Sequence, residues 1–379
     1  MTQAEPPLAG SVVLSVGHTL PGLFCLAMLR DLGAEVVRVE RAAQTNVAPY
    51  AALSGDFPIR SLTAGTHAVG LDLKTDGGRA TFLRLSREAA AVLEGFRPGV
   101  ARRLGIDYTS LCRDHEALVY ASISGYGQEG PASQRVGHDV NYLAETGVLG
   151  LANPMGLPGA TFADGLAGAS AALNVVAALH AAARSGSGQH LDLAIVDAPL
   201  FLMATELESF WRSGAARGPG DTHLTGRTPW YAVHRTADGG AVAVGAVEPV
   251  FHRALCGAIG HPDLAASQHA KGDELDRAWA AFGEAFATRT RDQAMALFDG
   301  VDACASPVLS TAEVASSTLM QRATREGRAR EELLVRSPVR LPLAPLNPER
   351  RDAEVLARFA FTKAEIEDLV RSGALAGGS

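Results

Sequence analysis

The sequence predicts an α/β protein with a mostly parallel sheet and a second, smaller α+β domain. Up to residue 127, β-branched runs alternate with helical segments, which is the pattern of βαβ units. After residue 229 the pattern changes to two strand-like runs around the turn sequence ADGG, which predicts an antiparallel hairpin. The chain has 379 residues, 47% of them hydrophobic and 20% charged, and this length favours two domains.

The strands of the first part are predicted from short apolar, β-branched runs that end at turn residues. They cover residues 11–17, 35–40, 67–73, 91–96 and 117–127. Helical spacing predicts one helix over 22–34, with Gly33 as its C-terminal stop, and a second helix over 75–89. Ligands of parallel sheets bind beyond the carboxyl ends of the strands, so the residues that follow these strands are the first candidates for a site.

The rest of the chain supplies the predicted domain boundaries. Residues 165–205 are rich in Ala and Leu and predict helix, interrupted by a strand-like run at 191–197. A stretch dense in Gly, Pro and Thr predicts a linker, and Thr362 with Glu365 predicts a capping box. The predicted organisation is a large domain at 1–212, the linker at 213–229, a small α+β domain at 230–330 and a C-terminal segment at 331–379.

Charge and composition exclude several classes of function. The net charge is −7, from 34 Lys and Arg against 41 Asp and Glu, and no basic stripe suggests a nucleic acid partner. No uninterrupted apolar stretch reaches about 18 residues, so no membrane span is expected. The first residues lack the basic region of a secretory signal, and a cytoplasmic location is expected.

Common catalytic motifs are missing. No GxSxG nucleophile motif occurs, and GHTLPG stands after the first strand where a dinucleotide-binding protein has GxGxxG. The four cysteines have no zinc spacing, and no HExxH or HxxxH motif occurs. The sequence therefore predicts neither a metal nor a dinucleotide.

His138 is the first candidate for chemistry. A single histidine beside an apolar segment is more often structural, but here Gly137 allows a ligand to approach and Asp139 can cap the helix that follows. His138 then lies at a helix N-terminus, where the helix dipole favours the neutral imidazole that a general base requires.

Asp164 and Glu248 are the carboxylate candidates. Asp164 is expected to be the N-cap of a helix whose start is kept bare by Gly165, Ala167 and Gly168, so that carboxylate and amide groups face a ligand together. Glu248 precedes a proline at a predicted helix start. Taken singly, each of the three residues is explained by a structural role. Taken together, an imidazole and two carboxylates that converge would form an acid/base site without a nucleophile.

Several segments together resemble family III CoA transferases, and more narrowly the α-methylacyl-CoA racemase branch. They are LGAEVVRVE (32–40), LDLK (71–74), EGFRPGVARRLGIDY (94–108), SGYGQEGP (124–131), GHDVNY (137–142), VAVGAVEP (242–249), DACASPVL (302–309) and FTKAEIEDLVRSGAL (361–375). The similarity extends over nearly the whole chain.

The resemblance implies a Rossmann-like large domain, a smaller α+β domain and a C-terminal segment that returns to the large domain. It also implies an interlocked homodimer, in which the site lies between the large domain of one chain and the small domain of its partner. On that basis Glu248 can meet His138 and Asp164 across the dimer.

The resemblance further implies the chemistry of a racemase or epimerase for 2-methyl-branched acyl-CoA thioesters. His138 and Asp164 are the two acid/bases on opposite faces of the α-carbon, and Glu248 orients the histidine. No cofactor is implied, because CoA enters as part of the substrate. The enolate needs a preorganised donor, worth about 2.7–4 kcal/mol, and the Asp164 amide is the natural candidate.

The resemblance also assigns the contacts to CoA, and arginines near strand ends suit its phosphate groups. The residues are Arg38, Leu71, Asp72, Leu73, Lys74, Gly95, Phe96, Arg97, Arg103, Gly137, Asp139, Val140, Asn141 and Tyr142.

Two departures from the family pattern leave the substrate open. The basic run that usually precedes LDLK is replaced by AGTHA (64–68), with only Arg60 nearby, which implies weaker nucleotide binding or a shorter pantetheine carrier. The segment between His138 and Asp164 is short and lacks the usual basic loop, so the acyl group and the physiological direction are undetermined and dehydration is an open possibility.

Two other classes of function compete with the racemase. The first is a family III CoA transferase in which Asp164 attacks the thioester and forms an aspartyl-CoA intermediate. The second is a non-catalytic acyl-CoA-binding protein, against which the presence of His138, Asp164 and Glu248 counts.

Overall fold

The structure, a computed structural model, describes residues 5–42, 59–326, 333–341 and 345–376. These residues form two compact units, each with its own hydrophobic core. The first unit comprises described residues within 1–146, 158–202 and 322–379, and the second comprises residues 147–157 and 203–321.

The first unit is built on a parallel sheet with six strands among the described residues. The strands are β1 (Val12–Val16), β2 (Glu35–Arg41), β3 (His67–Leu71), β4 (Ala91–Glu94), β5 (Val119–Ser124) and β6 (Gln189–Ala194). Their order is β3-β2-β1-β4-β5-β6, and every neighbouring pair is parallel. The predicted α/β class is confirmed, and the strand order is that of a Rossmann-like doubly wound sheet.

Helices lie between these strands and after the last of them, and several begin at a threonine cap. Up to residue 213 they are α1 (Leu20–Asp31), α2 (Arg60–Thr63), α3 (Asp76–Ser86), α4 (Val100–Leu104), α5 (Tyr108–Leu111), α6 (Asp139–Glu145), α7 (Val148–Leu151), α8 (Phe162–Ser185), α9 (Asp197–Leu202) and α10 (Ala204–Ser213). The Thr19 hydroxyl accepts the Gly22 amide at 3.3 Å, and the Thr75 hydroxyl accepts the Gly78 amide at 3.0 Å, which satisfies free amides at the starts of α1 and α3.

The second unit contains a three-stranded antiparallel sheet among its described residues. Its strands are β7 (Tyr231–Arg235), β8 (Ala241–Gly245) and β9 (Ala305–Pro307), in that order. Its later helices are α11 (Pro249–Ala258), a 3-10 helix (Pro262–Ser267), α12 (Asp273–Ala287), α13 (Arg291–Ala296) and α14 (Thr311–Ser316). The predicted hairpin is confirmed: its turn contains Gly239 at φ +80° and closes with a 3.1 Å bond from the Thr236 amide to the Gly240 carbonyl.

The end of the chain packs against the edge of the parallel sheet. The elements that follow α14 are α15 (Leu319–Ala323), whose first residues belong to the second unit, and then β10 (Thr324–Glu326), β11 (Leu333–Val335), α16 (Asp352–Arg358) and α17 (Lys363–Arg371). The Asp72 amide donates to the Ala374 carbonyl at 2.9 Å, and the Ala376 amide donates to the Gly70 carbonyl at 2.8 Å. These bonds join residues 374–376 to β3 and the turn after it, while the predicted capping box of Thr362 and Glu365 starts α17.

The two units divide the chain differently from the predicted domains. The second unit begins at Met203, so α10 and all of 213–229 belong to it, and it also takes in residues 147–157. The Gly220 amide donates to the Leu151 carbonyl at 3.1 Å, which attaches 147–157 to this unit through a contact that local sequence does not show. Residues 327–332, 342–344 and 377–379 of the predicted C-terminal regions lie outside the described residues.

Among the described residues, one helix, α8, is a candidate to cross a membrane. Its 24 residues are long and apolar enough to do so by length and composition alone. In the structure α8 packs against α1: a Cβ on Gly168 would lie 2.5 Å from Phe24 Cβ and 2.6 Å from the Pro21 carbonyl oxygen. A core helix with such close packing meets the same length and composition test.

The turns after β1 and β4 touch where the strand order reverses. A Cβ on Gly95 would lie 2.2 Å from the Gly17 carbonyl oxygen, closer than any real contact. A Cβ on Gly17, at φ +65°, would lie 2.8 Å from the Phe96 ring. Neither position has room for a side chain, so the geometry of this edge depends on both glycines.

We expect Gly95→Ala to lower the free energy of unfolding by about 1–3 kcal/mol, because the added methyl meets a backbone carbonyl that cannot rotate away. The matched control is Gly165→Ala in α8, where no atom lies within 4 Å of the new Cβ and a gain of about 0.5–1 kcal/mol is expected. Urea unfolding followed by circular dichroism measures both. Equal effects of the two substitutions would contradict this steric account.

Candidate active site

His138 stands directly before α6 and is itself the N-cap. Its backbone is extended, with φ −125° and ψ 174°, and its amide donates to the Asn141 side-chain oxygen at 2.9 Å. The side chain is exposed. The expectation that Asp139 caps this helix is wrong: Asp139 is the first helical residue, and its carboxylate contacts a different helix.

Gly137, which was expected to let a ligand approach, lies against the side chain of Tyr142 instead. Tyr142 donates from its hydroxyl to the Gly137 carbonyl at 2.9 Å. A Cβ on Gly137 would lie 2.9 Å from the Tyr142 ring, and a Cβ on Gly125 would lie 2.6 Å from its hydroxyl oxygen. Tyr142 is buried and occupies the space beside both glycines, so it fixes the loop that leads to His138.

Asp164 lies in the first turn of α8, where Thr161 and not Asp164 is the N-cap. The carboxyl group is half-buried, and its backbone amide donates to the Asp139 carboxylate at 2.9 Å. Burial and then the negative charge of Asp139 raise the pKa of Asp164 from its ordinary 3.8 to about 6, and His138 opposes this shift. The Asp164 amide is therefore engaged by Asp139, and the expectation that it serves an enolate oxygen is not met in this arrangement.

The small residues at the start of α8 also have a different role from the expected one. Ala167 and Gly168 are buried, and Gly168 lies against α1 near Pro21 and Phe24. Their small size allows two helices to approach closely and does not open the helix start to a ligand. Gly165 remains half-exposed with open space around its α-carbon.

Glu248 has the local structure that the sequence predicts. It is the N-cap of α11, Pro249 occupies the first helical turn, and the glutamate is exposed. Glu248 belongs to the second unit, whereas His138 and Asp164 belong to the first. Its role beside His138 stays a prediction.

A cavity of about 460 Å³ opens at the carboxyl ends of β1 to β4, where the sheet order reverses. Ligands of doubly wound sheets bind at this position. Seven of the predicted CoA contacts line it: Arg38, Leu71, Asp72, Leu73, Lys74, Gly95 and Phe96. Seven others are outside its lining, namely Arg97, Arg103, Gly137, Asp139, Val140, Asn141 and Tyr142.

Arg38 lines this cavity, but its positive charge is already paired with the carboxylate of Glu40. Its Nε donates to the Thr66 hydroxyl at 2.9 Å, and its Nη1 pairs with Glu40 at 2.5 Å. Burial lowers the pKa of Arg38, and the charge of Glu40 opposes this. The exposed cationic groups of the lining are Arg41 and Lys74.

His18 also lines the cavity and was not among the residues predicted from the sequence. Its Nδ1 lies 3.3 Å from the Ser15 hydroxyl, and its Nε2 has no hydrogen-bond partner among the described residues. Burial, followed by the charge of Arg38, lowers the pKa of His18 to about 3. The GHTLPG stretch after β1 was the available signal, because it follows the carboxyl end of a central strand.

The AGTHA stretch lies in the interior of the first unit and presents no basic surface. All five of its residues are buried. Thr66 binds Arg38, and His67 Nε2 lies 3.4 Å from Glu35. Arg60, the nearby arginine, pairs with Glu349 at 2.8 Å. In the part of the chain that the structure describes, no group of three or more His, Cys, Asp or Glu residues could hold a metal ion.

Comparisons with known proteins give matches over most of the chain. The family model described as CoA-transferase family III matches residues 8–353. The chain is 33% identical to alpha-methylacyl-CoA racemase of Homo sapiens, over 96% of both chains. It is 32% identical to acetyl-CoA:oxalate CoA-transferase of Acetobacter aceti, over 70% of both. A crystal structure of a CAIB/BAIF family protein from Brucella suis superposes with a TM-score of 0.78 at 25% identity, covering 94% of this chain and 100% of that one.

The raised pKa of Asp164 predicts a pH-dependent effect of Asp164→Asn on stability. A carboxyl whose pKa rises on folding stabilises the fold below its unfolded pKa, and this contribution is lost as pH rises through its folded pKa. The difference in Tm between the variant and the wild type should therefore shift in favour of the variant from pH 4 to pH 7.

The matched control is Asp273→Asn, which removes an exposed acidic group from the first turn of α12. Calorimetry at several pH values measures both differences. A Tm difference for Asp164→Asn that stays constant between pH 4 and pH 7 would show that this carboxyl titrates normally.

Proposed function

The chain belongs to CoA-transferase family III, and from this premise we propose that it is an isomerase that inverts the α-carbon of a 2-methyl-branched acyl-CoA thioester. The observation that carries the proposal is the convergence of two proton-carrying groups. His138 stands at the start of α6, and the next residue, Asp139, accepts the Asp164 amide of α8 at 2.9 Å, so both groups lie where the two helix starts meet.

The proposed reaction is a two-base proton transfer. From one enantiomer, the neutral His138 imidazole removes the α-proton, and protonated Asp164 returns a proton to the opposite face of the enolate. From the other enantiomer the two groups exchange roles. A pKa of about 6 suits Asp164 to both, because about one molecule in ten carries the proton at pH 7 while the remainder can act as bases. The reaction needs no cofactor, since CoA is part of the substrate.

The cavity at the reversal point is the proposed site for the carrier part of the thioester. Its apolar wall includes Phe96 and Leu71, and Arg41 and Lys74 offer exposed charge for phosphate groups. Arg38 is already paired with Glu40, and AGTHA is buried, so fewer cations are available than the family pattern supplies. This supports a weaker hold on the nucleotide end, or a shorter pantetheine carrier.

Glu248 and the dimer complete the proposal. We infer that the protein is an interlocked homodimer in which Glu248 of one chain orients His138 of the other. Large apolar side chains exposed on both units support a partner chain: Phe201 is 78% exposed in the first unit and Trp211 is 75% exposed in the second. Light scattering should give twice the chain mass of 39.5 kDa, and the chain mass itself would refute the dimer.

We expect each enantiomer to depend on a different base. With (R)- and (S)-2-methylacyl-CoA in D₂O, the wild type should introduce deuterium at the α-carbon of both. His138→Ala should slow exchange by about 10²–10⁴-fold from one enantiomer and much less from the other, and Asp164→Ala should show the opposite bias. Proton NMR measures exchange, and chiral analysis measures inversion.

Equal losses from both enantiomers in both variants would contradict the two-base assignment. The control is His180→Ala, since His180 is on α8 but well along the helix from Asp164. It should leave both exchange rates unchanged.

A CoA transferase is the second candidate, supported by relatives of comparable identity such as the Acetobacter aceti enzyme. In that reaction the Asp164 carboxylate attacks the thioester and passes through a mixed anhydride to an aspartyl-CoA thioester. Hydroxylamine with acyl-CoA should then convert Asp164 to a hydroxamate that mass spectrometry detects. Proton transfer forms no such adduct, so we expect Asp164 to remain unmodified.

A further inference from the structure

The contact between Asp139 and Asp164 links two short stretches that are 25 residues apart. Asp139 is the first residue of α6, and Asp164 is in the first turn of α8. The Asp139 carboxylate accepts the Asp164 amide at 2.9 Å, a charge-assisted hydrogen bond. The contact therefore holds the backbone that carries one proposed acid/base and brings two carboxyl groups close together.

We propose that Asp139 is a positioning residue that holds Asp164 at the start of α8 and places a negative charge beside that residue. The catalytic consequence of this role rests on the proposed function, whereas the effect on Asp164 itself does not. Asp139 acts through Asp164, and it carries no proton in the reaction.

The charges around Asp164 support this assignment. Among the described residues, the groups that act on it are Asp139, which raises its pKa, and His138, which lowers it. On the neighbouring elements, Arg30 and Asp31 of α1 pair with each other at 2.9 Å. Asp192 of β6 accepts the Gln128 amide. Burial, followed by the charge of Asp192, raises the pKa of Asp197 of α9. β5, VYASIS, carries no charged residue.

The two parts of the proposed role can be separated by substitution. Asp139→Asn keeps a side-chain oxygen that can accept the Asp164 amide but removes the charge. Asp139→Ala removes both the acceptor and the charge. The position of Asp164 should therefore be kept in Asp139→Asn and lost in Asp139→Ala. The effect of the Asp139 charge on the Asp164 carboxyl should be lost in both variants.

The matched control is Glu145→Gln at the last residue of α6. It changes the charge of the same helix by the same amount, but Glu145 pairs with Arg135 and Tyr126 and does not contact Asp164. Any effect that Asp139→Asn shares with this control is a general effect of charge on α6.

The test is a carboxyl titration in the absence of substrate. Aspartate labelled with ¹³C at the side-chain carboxyl is incorporated, and the Asp164 signal is identified by its loss in Asp164→Asn. In the wild type this signal should titrate near pH 6. The inflection should move to lower pH in Asp139→Asn and Asp139→Ala, and it should stay unchanged in Glu145→Gln.

Activity supplies the positional readout. Asp139→Ala should lose up to about 10²-fold in kcat for α-proton exchange, with a smaller change in KM, because a shift of about 1 Å in a catalytic group has that effect. Asp139→Asn should keep most of kcat. One enantiomer still exchanges in His138→Ala, because Asp164 is the base that removes its α-proton. For that enantiomer, the pH at which the exchange rate rises should be lower in Asp139→Asn than in the wild type.

The outcomes distinguish this inference from the proposed function. An Asp164 inflection that does not move in Asp139→Asn overturns the electrostatic role, and an unchanged kcat in Asp139→Ala overturns the positional role. If the wild type exchanges no α-proton but the inflection moves as expected, the proposed function fails and the effect of Asp139 on Asp164 stands. If Asp139→Asn does not fold, Asp139→Ser supplies a smaller neutral acceptor for the same titration.

Discussion

The first unit depends on one steric constraint, the close approach of the turns that follow β1 and β4. Gly17 and Gly95 meet there with no space for a Cβ on either, and Phe96 packs directly against Gly17. Because the strands on the two sides of this point continue in opposite directions across the sheet, their connections separate and a cavity opens between them. Side chains at either glycine would push the turns apart and change the walls of that cavity.

A second constraint is electrostatic and joins the starts of α6 and α8. The Asp139 carboxylate satisfies a backbone amide that the first turn of a helix leaves without an intrahelical partner. The same carboxylate disfavours the ionised form of Asp164, which is already half-buried. The bond stabilises the local backbone while it opposes the ordinary titration of the neighbouring carboxyl. Perturbed carboxyl groups of this kind cluster at functional sites, and the residue that contacts Asp164, Asp139, directly follows the exposed His138.

The cavity has its own internal balance of charge. Arg38 is bound within the protein, because its guanidinium pairs with Glu40 and donates to the Thr66 hydroxyl. The stretch before β3 is buried and supports this arrangement. Among the lining residues, the exposed cations are therefore Arg41 and Lys74. His18 adds an imidazole that is neutral because its pKa is lowered. A carrier bound here would meet an apolar surface with a limited number of cationic contacts.

The sequence by itself determined the strands of the parallel sheet, the hairpin at Asp238 and Gly239, the family, and His138 and Asp164 as candidates. These follow from short-range patterns, because strand and turn preferences depend on neighbouring residues and the family motifs are contiguous. Only the tertiary structure decided that Asp139 reaches across to the Asp164 amide and that Gly168 packs against α1. A polar side chain can cap its own helix or bind a distant amide, and the approach of the two helices selects between these partners.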